Sequence, residues 1–139
     1  MKVLRWALIC GGIFNFVMGT IFFSNPLLSG FFDLASRWES SLFGDTALLN
    51  FPQDPIHQLL IHGFGAAAMI LGAMLIYSAK DPTRFLAFIF IDGLGRLLFG
   101  NLMMVYVFRF HLIHVIALFG ILELAFALLY IFFSWKLSF

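Results

Sequence analysis

Charge is what this chain has least of. Only 11% of its 139 residues are Asp, Glu, Lys or Arg, and the formal net charge is +1. A soluble domain carries roughly a quarter charged residues, so this chain could not cover a water-facing surface. No basic stripe exists that could neutralise phosphates, which argues against a nucleic-acid partner. Cysteine is nearly absent as well. Cys10 stands alone, so an internal disulfide is excluded, and it reads as a small packing residue within an apolar stretch. No glycine-rich phosphate loop, no G-x-S-x-G and no Cys-x-x-Cys occurs. No internal repeat or low-complexity tract is visible.

What replaces charge is apolar mass. The chain is 63% hydrophobic, with 20 Phe and a mean hydropathy of +1.03. A helix needs about 20 mostly apolar residues to cross a bilayer. Four segments meet that length: Leu4–Phe23, Ile56–Ala79, Phe85–Phe108 and Phe110–Trp135. The expected fold is therefore all-α, a single membrane domain over residues 1–139 built as a four-transmembrane-helix bundle. Lys2 and Arg5 before the first run suggest a secretory signal, but that run is too long for a signal core and no A-x-A site follows. It is read as a retained span. Lys80-Asp81-Pro82-Thr83-Arg84 forms a polar turn with a helix-breaking proline between the second and third spans. Only Arg109 and its neighbours separate the third and fourth, which makes those two antiparallel neighbours.

Orientation follows from the cations. Lys2, Arg5, Lys80, Arg84 and Lys136 fall on one side of the spans, Arg37 and Arg109 on the other. The richer side is cytoplasmic by the positive-inside rule, which places both termini in the cytoplasm of a bacterial-type plasma membrane. Trp6, Tyr77, Tyr130 and Trp135 would form the inner aromatic belt, with Tyr106 in the outer one. The long outer segment 24–55 contains apolar residues at Phe31, Leu34, Ala35, Trp38 and Leu42. That spacing lines one helical face, so an amphipathic helix in the outer interface is expected there. The second span carries Gly63, Gly65, Ala66, Ala67, Ala68, Gly72 and Ala73, small residues that let helix backbones approach.

Ionisable residues at mid-membrane are expensive, by a contested amount of roughly 3 kcal/mol or more each when unpaired. Asp92, Arg96 and Glu123 therefore need each other. Asp92 and Arg96 are four residues apart on one helical face, and Glu123 reaches the same depth on the antiparallel fourth span. Asn15, near mid-depth in the first span, is a further hydrogen-bonding candidate. Two carboxylates about one arginine leave a surplus negative charge, so one of them is expected to carry a proton. Two readings stay open: a structural clasp that fixes helix register, or a ligand or proton site. His57, His62, His111 and His114 gather at the outer ends of the second and fourth spans. His62 and His114 could hold haem iron or a transition metal, with Asp54 nearby, although spacings of five and three residues are not a diagnostic metal motif. No cofactor is expected from the motifs.

Several of these features together resemble the small four-helix bacterial membrane proteins of the DoxX-like and BphX-like groups. They are the Lys2/Arg5-led first span ending at Gly19, the His62-Gly63-x-Gly65-Ala66 opening, the Asp81-Pro82-x-Arg84 turn and Asp92-x-x-x-Arg96. The resemblance covers nearly the whole chain. It implies a membrane protein, in some members linked to redox or quinone-dependent steps, although the lack of paired cysteines gives a thiol-based role no support. Three functions are expected to compete. One is a non-enzymatic accessory protein or binder of a small lipophilic ligand in the bundle. The second is a proton-linked small transporter using Glu123, Asp92 and Arg96, acting as a homo-oligomer because four spans make a thin pathway. The third is a haem- or metal-binding redox subunit.

Overall fold

The computed structural model describes residues 1–44 and 52–138, and all regular structure among them is helical. The elements are α1 (Lys2–Phe23), α2 (Asn25–Phe43), α3 (Pro55–Ser78), α4 (Leu86–Phe110) and α5 (Val115–Ser138). All except α2 are long and apolar enough to cross a membrane. The sequence segments and the helices agree to within a few residues at most ends. The largest shift is at α5, expected from Phe110 and found from Val115. Here α4 runs on through Arg109 to Phe110 and is closed by His111 in the left-handed region at φ 55°. That conformation is unusual for a residue with a Cβ, and it lets the Leu112 backbone N–H bond back to the Tyr106 carbonyl at 3.2 Å. The reversal then occupies residues 111–114, so His111 and His114 sit in the connection and not on the fourth span.

The chain divides into two compact units. The first comprises Met1–Gly11 and Leu75–Phe139, the second Gly12–Met74. In the first unit, Leu4, Ala7, Leu8, Leu75, Ala79, Ile89 and Tyr130 form a buried apolar cluster. Helices α4 and α5 pack closely there. A Cβ added at Gly100 would lie 3.0 Å from the Gly120 carbonyl oxygen, so glycine is what permits this approach. Its polar turn is held by Asp81, which accepts hydrogen bonds from the Thr83 hydroxyl (2.6 Å) and the Arg84 backbone N–H (3.4 Å).

The second unit is built on close approach between the later half of α1 and α3. A Cβ at Gly65 would meet the Phe23 nitrogen at 2.7 Å and the Gly19 oxygen at 2.8 Å, and one at Gly72 would meet the Gly12 oxygen at 2.6 Å. Phe22 packs edge-on to Phe64 at 5.6 Å and tilted to Phe31 at 6.1 Å. Helix α2 starts with Pro26 in its first turn and stops at Gly44, whose left-handed backbone lets its N–H reach the Ser40 carbonyl.

The expected apolar face of α2 is only partly packed against the rest of the unit. Leu28, Ala35 and Glu39 are buried, whereas Leu34, Trp38 and Leu42 are exposed. One flank of this face, at Leu28 and Ala35, is packed within the unit, and the adjoining flank is left outward. Cys10 is also outward-facing and not the packing residue expected.

Candidate functional site

The first unit contains the polar centre. On α4, Asp92 and Arg96 are one turn apart with the acid on the N-terminal side, the favourable order for such a pair. Arg96 Nε donates to Asp92 Oδ2 at 2.7 Å, and its Nη1 donates to Glu123 Oε2 of α5 at 2.5 Å. Its Nη2 points at the Gly11 carbonyl of α1 at 3.5 Å. All three side chains of this triad are at least nine-tenths buried. The guanidinium also faces the rings of Phe126 (5.3 Å) and Tyr130 (5.4 Å). One arginine therefore ties α1, α4 and α5 together within this unit, using its planar fork of donors. The triad carries two formal negative charges against one positive.

Tyr130 belongs to this centre, although the sequence placed it in the inner aromatic belt. It is fully buried and its hydroxyl donates to the Ala7 carbonyl at 3.0 Å. Gly11 is required there, because a Cβ would collide with the Tyr130 hydroxyl. The signal was present: Glu123, Phe126, Ala127 and Tyr130 repeat at helical spacing on one face of α5. Asn15 does not share the unit. It lies half-buried on α1 in the second unit, where its Cβ faces Gly72.

The histidines are divided. His57 and His62 belong to the second unit, His111 and His114 to the first. Asp54 caps α3: its Oδ1 accepts from the His57 backbone N–H at 2.9 Å, and its Oδ2 pairs with the His57 ring. That backbone hydrogen bond, followed by the ring contact, outweighs what burial does and holds the Asp54 carboxyl below its ordinary range. His62 Nε2–H donates to Asn25 Oδ1 at 2.6 Å, which ties α3 to the start of α2. Among the described residues, no three His, Cys, Asp or Glu side chains are grouped as a metal site would need. Glu39 on α2, which the sequence did not single out, is wholly buried.

A second feature of the first unit is a groove of about 740 Å³ on the α4–α5 seam. Leu86, Ala87 and Phe90 form one wall, and Ile131, Ser134, Trp135 and Ser138 the other. Its volume lies in the range of small-molecule sites, roughly 300–1,000 Å³. Ile131 also packs against Gly93, the residue after Asp92, with its Cγ1 3.0 Å from where a glycine Cβ would be. Ser134 is 2% exposed, and its hydroxyl is the one buried side-chain polar atom among the described residues without a hydrogen-bond partner.

Four apolar helices of spanning length, with ionisable groups tied to one another away from the surface, define a membrane protein. Comparison with protein-family models, with curated proteins and with solved structures gave no match.

Proposed function

We propose that the chain is a non-enzymatic, multi-pass membrane protein, a four-helix bundle that binds a small lipophilic ligand in the α4–α5 seam. The observation that carries this reading is the groove with the partnerless Ser134 hydroxyl at its wall. A buried hydroxyl without a partner is costly, and a rotation of the Ser134 side chain toward the groove would let a ligand with an apolar body and one hydrogen-bonding atom satisfy it. In this reading the Asp92–Arg96–Glu123 triad keeps α4 and α5 in register beside the groove. The cation distribution puts both termini in the cytoplasm, which sets the groove at the inner leaflet of a bacterial-type plasma membrane. The outward Leu34, Trp38 and Leu42 of α2 then lie in the outer interface. The DoxX-like resemblance is compatible with a quinone-like ligand and rests on the motifs alone.

The test is purification in mild detergent followed by native mass spectrometry and extraction. A stoichiometric lipophile is expected, lost in Ala87→Trp, which fills the groove, and held about fivefold more weakly in Ser134→Ala. A ligand-free wild type, or equal retention in Ala87→Trp, contradicts the reading.

A second reading, proton-linked transport, is favoured by the surplus negative charge of the triad. It expects pH-dependent flux that Glu123→Gln abolishes while the fold persists. The haem reading has less support, because the His62 ring is engaged by Asn25.

A further inference from the structure

Asn101 is the wrong residue for its place in a monomer. It lies on α4, the sixteenth of the helix's 25 residues. That is three residues, about 4.5 Å along the axis, from the helix midpoint. The residue is nevertheless exposed. Its Nδ2 donates one hydrogen to the Leu97 carbonyl of its own helix at 2.7 Å. The second Nδ2 hydrogen and Oδ1 have nothing to bond in hydrocarbon, where neither water nor another acceptor replaces the missing partner.

The residues around it are patterned. Ile91, Leu94, Leu98, Asn101, Val105 and Phe108 follow one another at intervals of three, four, three, four and three. This is the a/d spacing of a heptad seam. Every member is exposed, Leu98 by 73%. Gly95 lies on the same face, and a Cβ added to it would meet no atom within 4 Å, so a neighbouring backbone has room to come close. A shallow groove of about 460 Å³ also runs along this face, lined by Asn101, Met104, Val105 and Phe108, with Arg109 at its outer end.

We propose that this face of α4 is the interface of a parallel homodimer, with Asn101 of each copy hydrogen-bonded to Asn101 of the other. The occupant is a second copy because a side-chain amide is self-complementary, one donor and one acceptor on each side. All copies insert with the same orientation, so a twofold axis along the membrane normal brings Asn101 to Asn101 at the same depth. A single polar residue in an otherwise apolar a/d seam fixes register in this way. Phe108 of each copy then enters the groove beside Val105 of the other.

The test uses the full chain in liposomes at low protein density, in a Cys10→Ser background. Single cysteines at Leu98 and Val105 are expected to cross-link between copies on oxidation. One at Leu128, equally mid-span but on exposed α5, is not. Dilution into lipid, followed by single-molecule photobleaching, gives the dimer dissociation constant. Asn101→Leu is expected to raise it about tenfold, as a lost interhelical hydrogen bond should, while Asn101→Gln keeps most of the association. The substituted residue bonds only within its own helix, so the fold is not at stake. Cross-linking at Leu128 equal to that at Leu98, a monomer at every dilution, or an unchanged constant in Asn101→Leu overturns the proposal.

Discussion

The two compact units of this chain are held by different means. The first joins its helices through a buried guanidinium and two carboxylates, backed by one long aromatic side chain, Tyr130, and adds to these one close glycine contact, Gly100 against Gly120. The second joins α1 to α3 by removing side chains, with Gly19 against Gly65 and Gly12 against Gly72. Both are answers to the same difficulty. Between helices in lipid, apolar surface gains little by leaving an equally apolar solvent, so association rests on polar bonds or on close backbone contact. A polar clasp is strong only while complete, whereas a glycine contact fails by degrees as volume is added.

The largest predicted effect follows from that contrast. Arg96→Leu leaves two carboxylates buried without a cation and should destabilise the first unit by about 3–5 kcal/mol, read from unfolding in graded denaturing detergent. Breaking the second unit should cost less: Gly65→Ala forces a methyl against backbone and is expected to cost about 1–3 kcal/mol. Gly63→Ala, where a Cβ meets nothing within 4 Å, should stay within about 0.5 kcal/mol of wild type in the same assay. Equal losses at Gly63 and Gly65 would remove close packing as the explanation.

Tyr130→Phe sharpens the first side of the comparison, since it deletes one buried hydrogen bond to Ala7 while keeping the ring over Arg96. About 1 kcal/mol is expected, far less than for the arginine. The smallest effect is at Asp54. Its carboxyl is held below the ordinary value of 3.8 by the His57 backbone N–H. A lowered value means that the cap contributes fully above pH 3.8 and is lost as pH falls below it. Hydrogen-exchange protection in the first turn of α3, with each rate referred to the intrinsic rate at that pH, should therefore fall on acidification in wild type and be already low, without that pH dependence, in Asp54→Ala.

The sequence made some of this legible and hid the rest for physical reasons. The spans stood out because length and hydropathy are read directly from residue type. The triad stood out because three ionisable groups at mid-span have few ways to be satisfied, and helical spacing with antiparallel neighbours left one pairing. The start of α5 was hidden because the chain turns through His111 in a backbone region that no residue pattern there advertises. Tyr130 was read as a belt residue because a tyrosine near a helix end fits either role. Only the Ala7 carbonyl opposite its hydroxyl decides. The orphaned Ser134 hydroxyl is invisible without neighbours in space.

The most direct test of the clasp is a comparison of Arg96→Leu with the triple variant Asp92→Leu/Arg96→Leu/Glu123→Leu in the same unfolding assay. If the triad acts as a closed unit whose cost lies in leaving a charge unmatched, the triple variant should recover most of the stability lost in the single one. A triple variant as unstable as Arg96→Leu, or less stable, would contradict that account and make each ionic contact an independent contributor.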